Sequence, residues 1–301
     1  MKILVLRGGA LGDLILTLPA LREIRRAYPD ACIELSGVLP QAKLATPEYV
    51  DRVERVDAAE LAPLFVNEEL PQSLRDRLNR FDLAVSFFAD ASSVITRNLI
   101  RAGVRAVAGG PNRSSTETHA VYYLATVLEP LRLTLSDPVP ALAVGPRPAR
   151  AARLAFHPGS GSPQKNWPVA RWVELIRQCE SIFESFLLIG GEADGDAVRA
   201  FLAHSDCRRL KTLLGADLVE LSGALNACTA FAGHDTGVSH LAAAVGTPTV
   251  ALFGPTNPNV WAPLGGHVQV IRASGGTMES IRVRDVVAAL SHDSSAAREL
   301  S

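Results

Sequence analysis

The sequence predicts an α/β protein of two domains, each a mainly parallel sheet covered on both faces by helices. Three observations predict it. Short apolar runs of strand length alternate with amphipathic runs of helical spacing along the whole chain. At 301 residues the chain exceeds the usual single domain. A stretch carrying Pro130, Pro138, Pro140, Pro146 and Pro148 then interrupts the alternation near its middle, as an extended connector would. The boundary is expected near residue 150, giving domains 1–150 and 151–301 that face one another across a cleft.

In the first half, Lys2 to Leu6 reads as a strand that runs into Arg7-Gly8-Gly9-Ala10-Leu11-Gly12-Asp13. Leu14, Leu18, Leu21 and Ile24 follow at helical spacing. Pro19 inside that pattern implies either a helix beginning near Leu16 or a longer, kinked one. Ala31 to Leu35 and Val53 to Val56 are strands, with a short helix and loop over Pro40 to Val50 between them. Glu68 to Arg80 reads as a charged surface helix, Leu83 to Phe87 as a strand, Ser92 to Arg101 as a helix and Ala106 to Gly109 as a strand. A helix over His119 to Leu128 precedes the prolines.

The second half restarts with a strand at Arg153 to Phe156, followed by the polar loop His157 to Pro168. A helix (Val169 to Cys179), a strand (Ser185 to Ile189) ending at Gly190-Gly191-Glu192, and helices over Asp194 to Ala203 and Leu218 to Leu225 come next. Thr229 to Ala232 is apolar and leads into Gly233-His234-Asp235-Thr236-Gly237. Helical spacing then holds from Val238 to Val245, until Gly246-Thr247-Pro248 breaks it ahead of a strand at Thr249 to Phe253. Val268 to Ile271 is a late strand. Val283 to Leu290 is the last helix, expected to reach back to the first domain.

Charge is balanced, Lys+Arg 30 against Asp+Glu 31, so no global field draws nucleic acid. No apolar run reaches membrane-spanning length. Cys32, Cys179, Cys207 and Cys228 are scattered, as in a protein of the reducing cytoplasm.

The most informative stretch is FAGHDTGVSHLAAAVGTPTVALFGP, Phe231 to Pro255. A strand, a polar turn and a helix in succession place backbone N–H groups at a helix N-terminus, where phosphate is well held. Asp235 orients this turn, while Thr236, Gly237 and Val238 present donors. His234, Asp235 and His240 invite a metal reading, but their spacing fits zinc poorly and no fourth ligand is visible, so no metal is expected. Lys165, on the loop after a strand, suits a phosphate partner. On the same loop His157 is either a phosphate contact or a loop cap. Glu192 suits a ribose hydroxyl. At the other end of the chain, Gly8, Gly9 and Gly12 miss the dinucleotide spacing Gly-x-Gly-x-x-Gly, though they allow a tight strand-to-helix turn. Asp13, where α/β proteins gather ligands, can accept a proton from an attacking hydroxyl. Helix N-termini favour its ionised form, so that proton is taken late.

Together these segments resemble glycosyltransferase family 9, the heptosyltransferases of lipopolysaccharide assembly and their relatives. The carriers are ILVLRGGALGDLILTLPALREIRRAYP, HPGSGSPQKNWP, LIGGEADGD and GHDTGVSHLAAAVGTPTVALFGPTNPNVWAP, in the family's order and spanning most of the chain. The resemblance implies a GT-B fold of two Rossmann-like domains, with the donor held by the second. It implies an inverting, metal-independent transfer of heptose from ADP-heptose to a lipopolysaccharide-core or related glycan, with Asp13 as base. It assigns Ser160, Lys165, Asp235, Thr236, Gly237, Val238 and His240 to the donor phosphates and Glu192 to the ribose. The partners it implies are a nucleotide-sugar and a glycan or glycolipid acceptor. The enzyme is expected to be a cytoplasmic monomer without a cofactor, with peripheral contact at the inner membrane surface left open. The segment Lys211 to Ala230 departs from the family pattern by lacking a threonine-glycine element. Two rivals stand beside this reading: a non-catalytic nucleotide- or sugar-binding protein on the same scaffold, and an NAD-type oxidoreductase with Glu34 as its ribose acid.

Overall fold

The computed structural model describes residues 1–89, 94–111, 117–145, 151–191 and 194–298. The chain divides into two compact units, Met1–Leu142 and Ala143–Ser301.

The first unit runs β1 (Lys2–Arg7), α1 (Leu11–Ala27), β2 (Cys32–Gly37), β3 (Arg52–Arg55), α2 (Gln72–Leu78), β4 (Leu83–Ser86), α3 (Val94–Arg101), β5 (Ala106–Gly109) and α4 (Ala120–Ala125). Its five strands lie in the order β3-β2-β1-β4-β5, all parallel. The chain starts at the central strand, builds one side, then crosses to the other. That change of direction opens a crevice at the carboxyl ends of β1 and β4. Leu4, Leu6 and Ala84 of the sheet pack against Leu74, Leu78, Phe81 and Leu99.

Pro19 is accommodated within α1, which therefore begins at Leu11, earlier than the first of the two sequence alternatives. The expected helix over Glu68 to Arg80 is shorter. Pro71, with no N–H to donate, stands at its cap, and the helix begins at Gln72. The described part of the proline-rich run is bound to the first unit. Ser136 Oγ donates to Glu23 (2.6 Å), Arg22 donates to the Val139 carbonyl (3.3 Å), and Tyr49 Oη donates to that of Ala141 (2.6 Å). The division accordingly falls after Leu142, ahead of the position expected from the prolines.

The second unit runs β6 (Ala151–His157), α5 (Val169–Cys179), β7 (Ser185–Gly190), α6 (Gly195–His204), β8 (Leu210–Leu214), α7 (Leu218–Asn226), β9 (Cys228–His234), α8 (Gly237–Ala244), β10 (Thr249–Phe253), α9 (Pro258–Trp261), β11 (Val268–Arg272) and α10 (Val283–Arg298). Its six strands are parallel in the order β11-β10-β9-β6-β7-β8. Here β6 is the starting strand and β9 returns to its free side. The carboxyl ends of β6 and β9, with His157 opposite Gly233, thus flank the crevice of this sheet. The edge strand β8 was not foreseen: its residues Leu210-Lys211-Thr212-Leu213-Leu214 are half-exposed to exposed and lack the apolar run of the central strands.

A buried aromatic cluster sits beneath the crevice. Phe156 stacks on Trp172 at 5.7 Å, and Trp167 and Phe201 meet this pair edge-on. Val283, Val286, Ala289 and Leu290 of α10 join the same core. Among the described residues no helix is long and apolar enough to cross a membrane.

Candidate functional site

In the first unit, β1 delivers Arg7 to the edge of the crevice and the chain turns sharply through Gly8 and Gly9. Both positions are crowded for a side chain. A Cβ on Gly8 would lie 2.7 Å from the Phe88 ring. Gly9 has φ +95°, and its Cβ would lie 2.5 Å from the Asp13 carboxylate. Gly12 lies within the first turn of α1.

Asp13 is on the first turn of α1 and reaches back toward the turn that precedes it. Its Oδ2 accepts from the Ala10 N–H (2.9 Å) and its Oδ1 from the Arg7 guanidinium (3.1 Å). Arg7 also donates to the Asp13 carbonyl (2.9 Å), so the same arginine holds backbone and side chain together. Burial lowers the Arg7 pKa, and Asp13 and Tyr123 partly offset this. The carboxylate accepts these two bonds, and its side chain is 41% exposed, against 11% for Arg7. The result is a carboxylate oriented on one side and partly exposed on the other.

In the second unit the loop after β6 and the turn after β9 meet. Lys165 Nζ lies 2.8 Å from Asp235 Oδ2. Thr236 caps α8, whose first amides, at Gly237 and Val238, have no carbonyl a turn behind to receive them. An anion placed there would find backbone donors, the positive helix end and a lysine. Ser160 lies on the same loop as Lys165. Its one hydroxyl proton faces both the Ser162 carbonyl (2.7 Å) and Asn166 Oδ1 (2.6 Å), which ties the loop to itself. His240 is buried on α8. Glu192 lies outside the described residues.

His157 and His234 organise the crevice from below. His157 Nε2 is 2.8 Å from Asp194 Oδ2, and its Nδ1 is 3.4 Å from Thr236 Oγ1. Asp194 also accepts from the Gly191 N–H (2.9 Å). Burial would raise its pKa, but the His157 hydrogen bond and charge, with the Gly191 amide, outweigh burial and hold it below the usual range. Asp194 was missed as a site residue, since in sequence it only opens a helix. Its one local signal is the pair of glycines ahead of it. His234 Nδ1 is 3.2 Å from the Gly159 carbonyl, and its Nε2 accepts from the Trp167 N–H at 2.9 Å. Burial pushes the pKa of this imidazole down to about 3. With both nitrogens committed, His234 has none to offer a metal. Among the described residues no group of three or more His, Cys, Asp and Glu side chains is placed to hold a metal ion. Glu34 lies within β2 beside Arg77 (3.6 Å), away from a strand's carboxyl end where a ribose acid belongs.

The profile of glycosyltransferase family 9 (heptosyltransferase) matches residues 129–288, more than half of the chain. The chain belongs to glycosyltransferase family 9. Over 293 aligned residues this family 9 enzyme is 30% identical to lipopolysaccharide heptosyltransferase 1 of Pseudomonas aeruginosa, covering 86% of this chain and 80% of that protein. Escherichia coli ADP-heptose lipopolysaccharide heptosyltransferase II has a similar fold, with a TM-score of 0.78 at 22% identity over 99% of this chain and 100% of that one. Escherichia coli heptosyltransferase WaaC, solved with ADP, gives 0.77 at 18% identity over 97% and 100%. The architecture is GT-B, two Rossmann-like domains, and the protein is a heptosyltransferase-like glycosyltransferase acting on a nucleotide-diphosphate sugar. The oxidoreductase alternative falls with this membership.

Proposed function

We propose that this family 9 enzyme transfers heptose from ADP-heptose to a hydroxyl of a lipopolysaccharide-core or related acceptor, with inversion at the anomeric carbon. The observation that carries the reading is Lys165 held at 2.8 Å from Asp235, beside the open amides of α8. The relative in Pseudomonas aeruginosa, a lipopolysaccharide heptosyltransferase, supports the sugar and the acceptor class.

In this mechanism the second unit holds the donor diphosphate. Asp13 accepts the proton of the acceptor hydroxyl as that oxygen bonds to the anomeric carbon. The bond from that carbon to the diphosphate breaks on the opposite face, and ADP leaves with the electron pair. Negative charge grows on the leaving diphosphate, where the amides of Gly237 and Val238, the α8 dipole and Lys165 receive it. Thr236 and His240 are assigned to the same phosphates, and Glu192 is assigned to the ribose. No step is assigned to a metal. The enzyme works as a monomer on the cytoplasmic side of the inner membrane, touching its surface to reach a glycolipid.

Calorimetric titration with ADP, UDP and GDP, followed by turnover of ADP-heptose, tests the proposal. Preference for ADP supports it. Preference for another base keeps glycosyl transfer and discards the heptose donor, and absence of binding to all of them would favour a non-catalytic scaffold.

A further inference from the structure

We infer that His234 is a positioning residue, a neutral staple that fastens the loop bearing Lys165 to the end of β9. Its ring is fully buried and packs edge-on against Trp172 at 5.4 Å. The partners at its two nitrogens are of opposite kind. The Gly159 carbonyl can only accept and the Trp167 amide can only donate. One protonation state meets both: a neutral imidazole with its proton on Nδ1. The depressed pKa agrees with this geometry.

The two bonds span the arc of loop on which Lys165 sits. Gly159 precedes it, Trp167 follows two residues later, and both are buried, so neither backbone group can turn to water when the imidazole is removed. The next residue in the chain, Asp235, receives the Lys165 ammonium. Consecutive residues of the β9 end therefore hold the loop at three points, two on its backbone and one on its lysine. Lys165 is a flexible side chain that would otherwise lose rotamer freedom on binding an anion, and a fixed loop and carboxylate meet that cost before the ligand arrives. His234 itself touches no phosphate. It acts through Lys165, and in this respect the inference rests on the phosphate role proposed for that lysine.

Amide hydrogen exchange of the peptide spanning 159–167, together with ADP titration, tests it in the parent, His234→Leu and His234→Gln, each with and without Lys165→Ala. In His234→Leu the loop should exchange at least about tenfold faster. ADP affinity should fall to the level of Lys165→Ala, and adding that second change should cost nothing further. A glutamine can return an acceptor to the Trp167 amide and should restore part of both. A merely structural histidine would lower stability, yet Lys165→Ala would then cost the same factor in every background, and that result overturns the inference. So does a loop that exchanges at the parental rate in a folded His234→Leu protein. If Lys165→Ala binds ADP like the parent, the phosphate role of the lysine fails and the exchange rates alone decide the staple. Should the leucine variant not fold, His234→Gln and His234→Asn, each keeping one of the two bonds, should give intermediate exchange. Parental rates in both would overturn the proposal.

Discussion

Acid should weaken the second unit through His234 well before its carboxylates protonate. The unfolded side chain takes a proton near its ordinary value of 6.5, while burial holds the folded one neutral down to about 3. In that window the unfolded state binds more protons, so stability falls as pH falls. The loss begins as pH drops through the unfolded value and ends near the folded one. Between about pH 7 and about pH 5 it amounts to about 2 kcal/mol, nearly all of it from protonation of the unfolded chain. Asp194, whose pKa is lowered from 3.8, contributes stability that is lost only at lower pH and stays out of this interval. Urea unfolding followed by tryptophan fluorescence is the assay, because Trp167, Trp172 and Trp261, the three tryptophans of the chain, all lie in the second unit. Comparing the parent with His234→Gln cancels the other titrations. The parent should lose about 2 kcal/mol more than the variant over this interval. Equal pH slopes would refute the reasoning.

Three further outcomes follow from the geometry. Asp13→Asn should cut transfer by about two to four orders of magnitude in kcat and leave ADP affinity within a few-fold. An equal loss of ADP binding would remove Asp13 from the role of base. Gly9→Ala should also slow transfer, by about tenfold or more, although it alters no ionisable group. The new methyl would meet the Asp13 carboxylate at 2.5 Å on a backbone of φ +95°, and a parental kcat would show that the carboxylate's position is unimportant. Gly159→Ala should destabilise the second unit by about 1–3 kcal/mol in the same fluorescence assay. Its Cβ would lie 2.2 Å from Asp194 Oδ1, whose carboxylate is already committed to His157 and Gly191.

Much of the architecture was legible because it is written locally. Strands β1, β4, β7 and β10 are largely buried and mostly apolar, and the glycines after β1 announce a sharp turn. The β9 to α8 segment likewise carries its anion-binding form in adjacent residues, through a strand, a polar turn and the first amides of a helix. Elements with weak local signals were missed or misjudged. β8 has an edge strand's exposed residues, α9 is a single turn, and α2 is cut short by Pro71.

The sequence by itself determined two parallel α/β sheets, the crevice-forming turns and the residue types gathered at them, because spacing and turn chemistry act over a few neighbouring residues. Only the tertiary structure decided who partners whom. Lys165 finds Asp235 seventy residues on, His157 finds Asp194 thirty-seven residues on, and His234 closes on Gly159 and Trp167. The meetings of Lys165 with Asp235 and of His234 with its loop depend on β9 lying beside β6, and that of His157 with Asp194 depends on β7 lying on β6's other side. Strand order is settled by burial of whole faces across the sheet, and no local stretch of sequence carries that information.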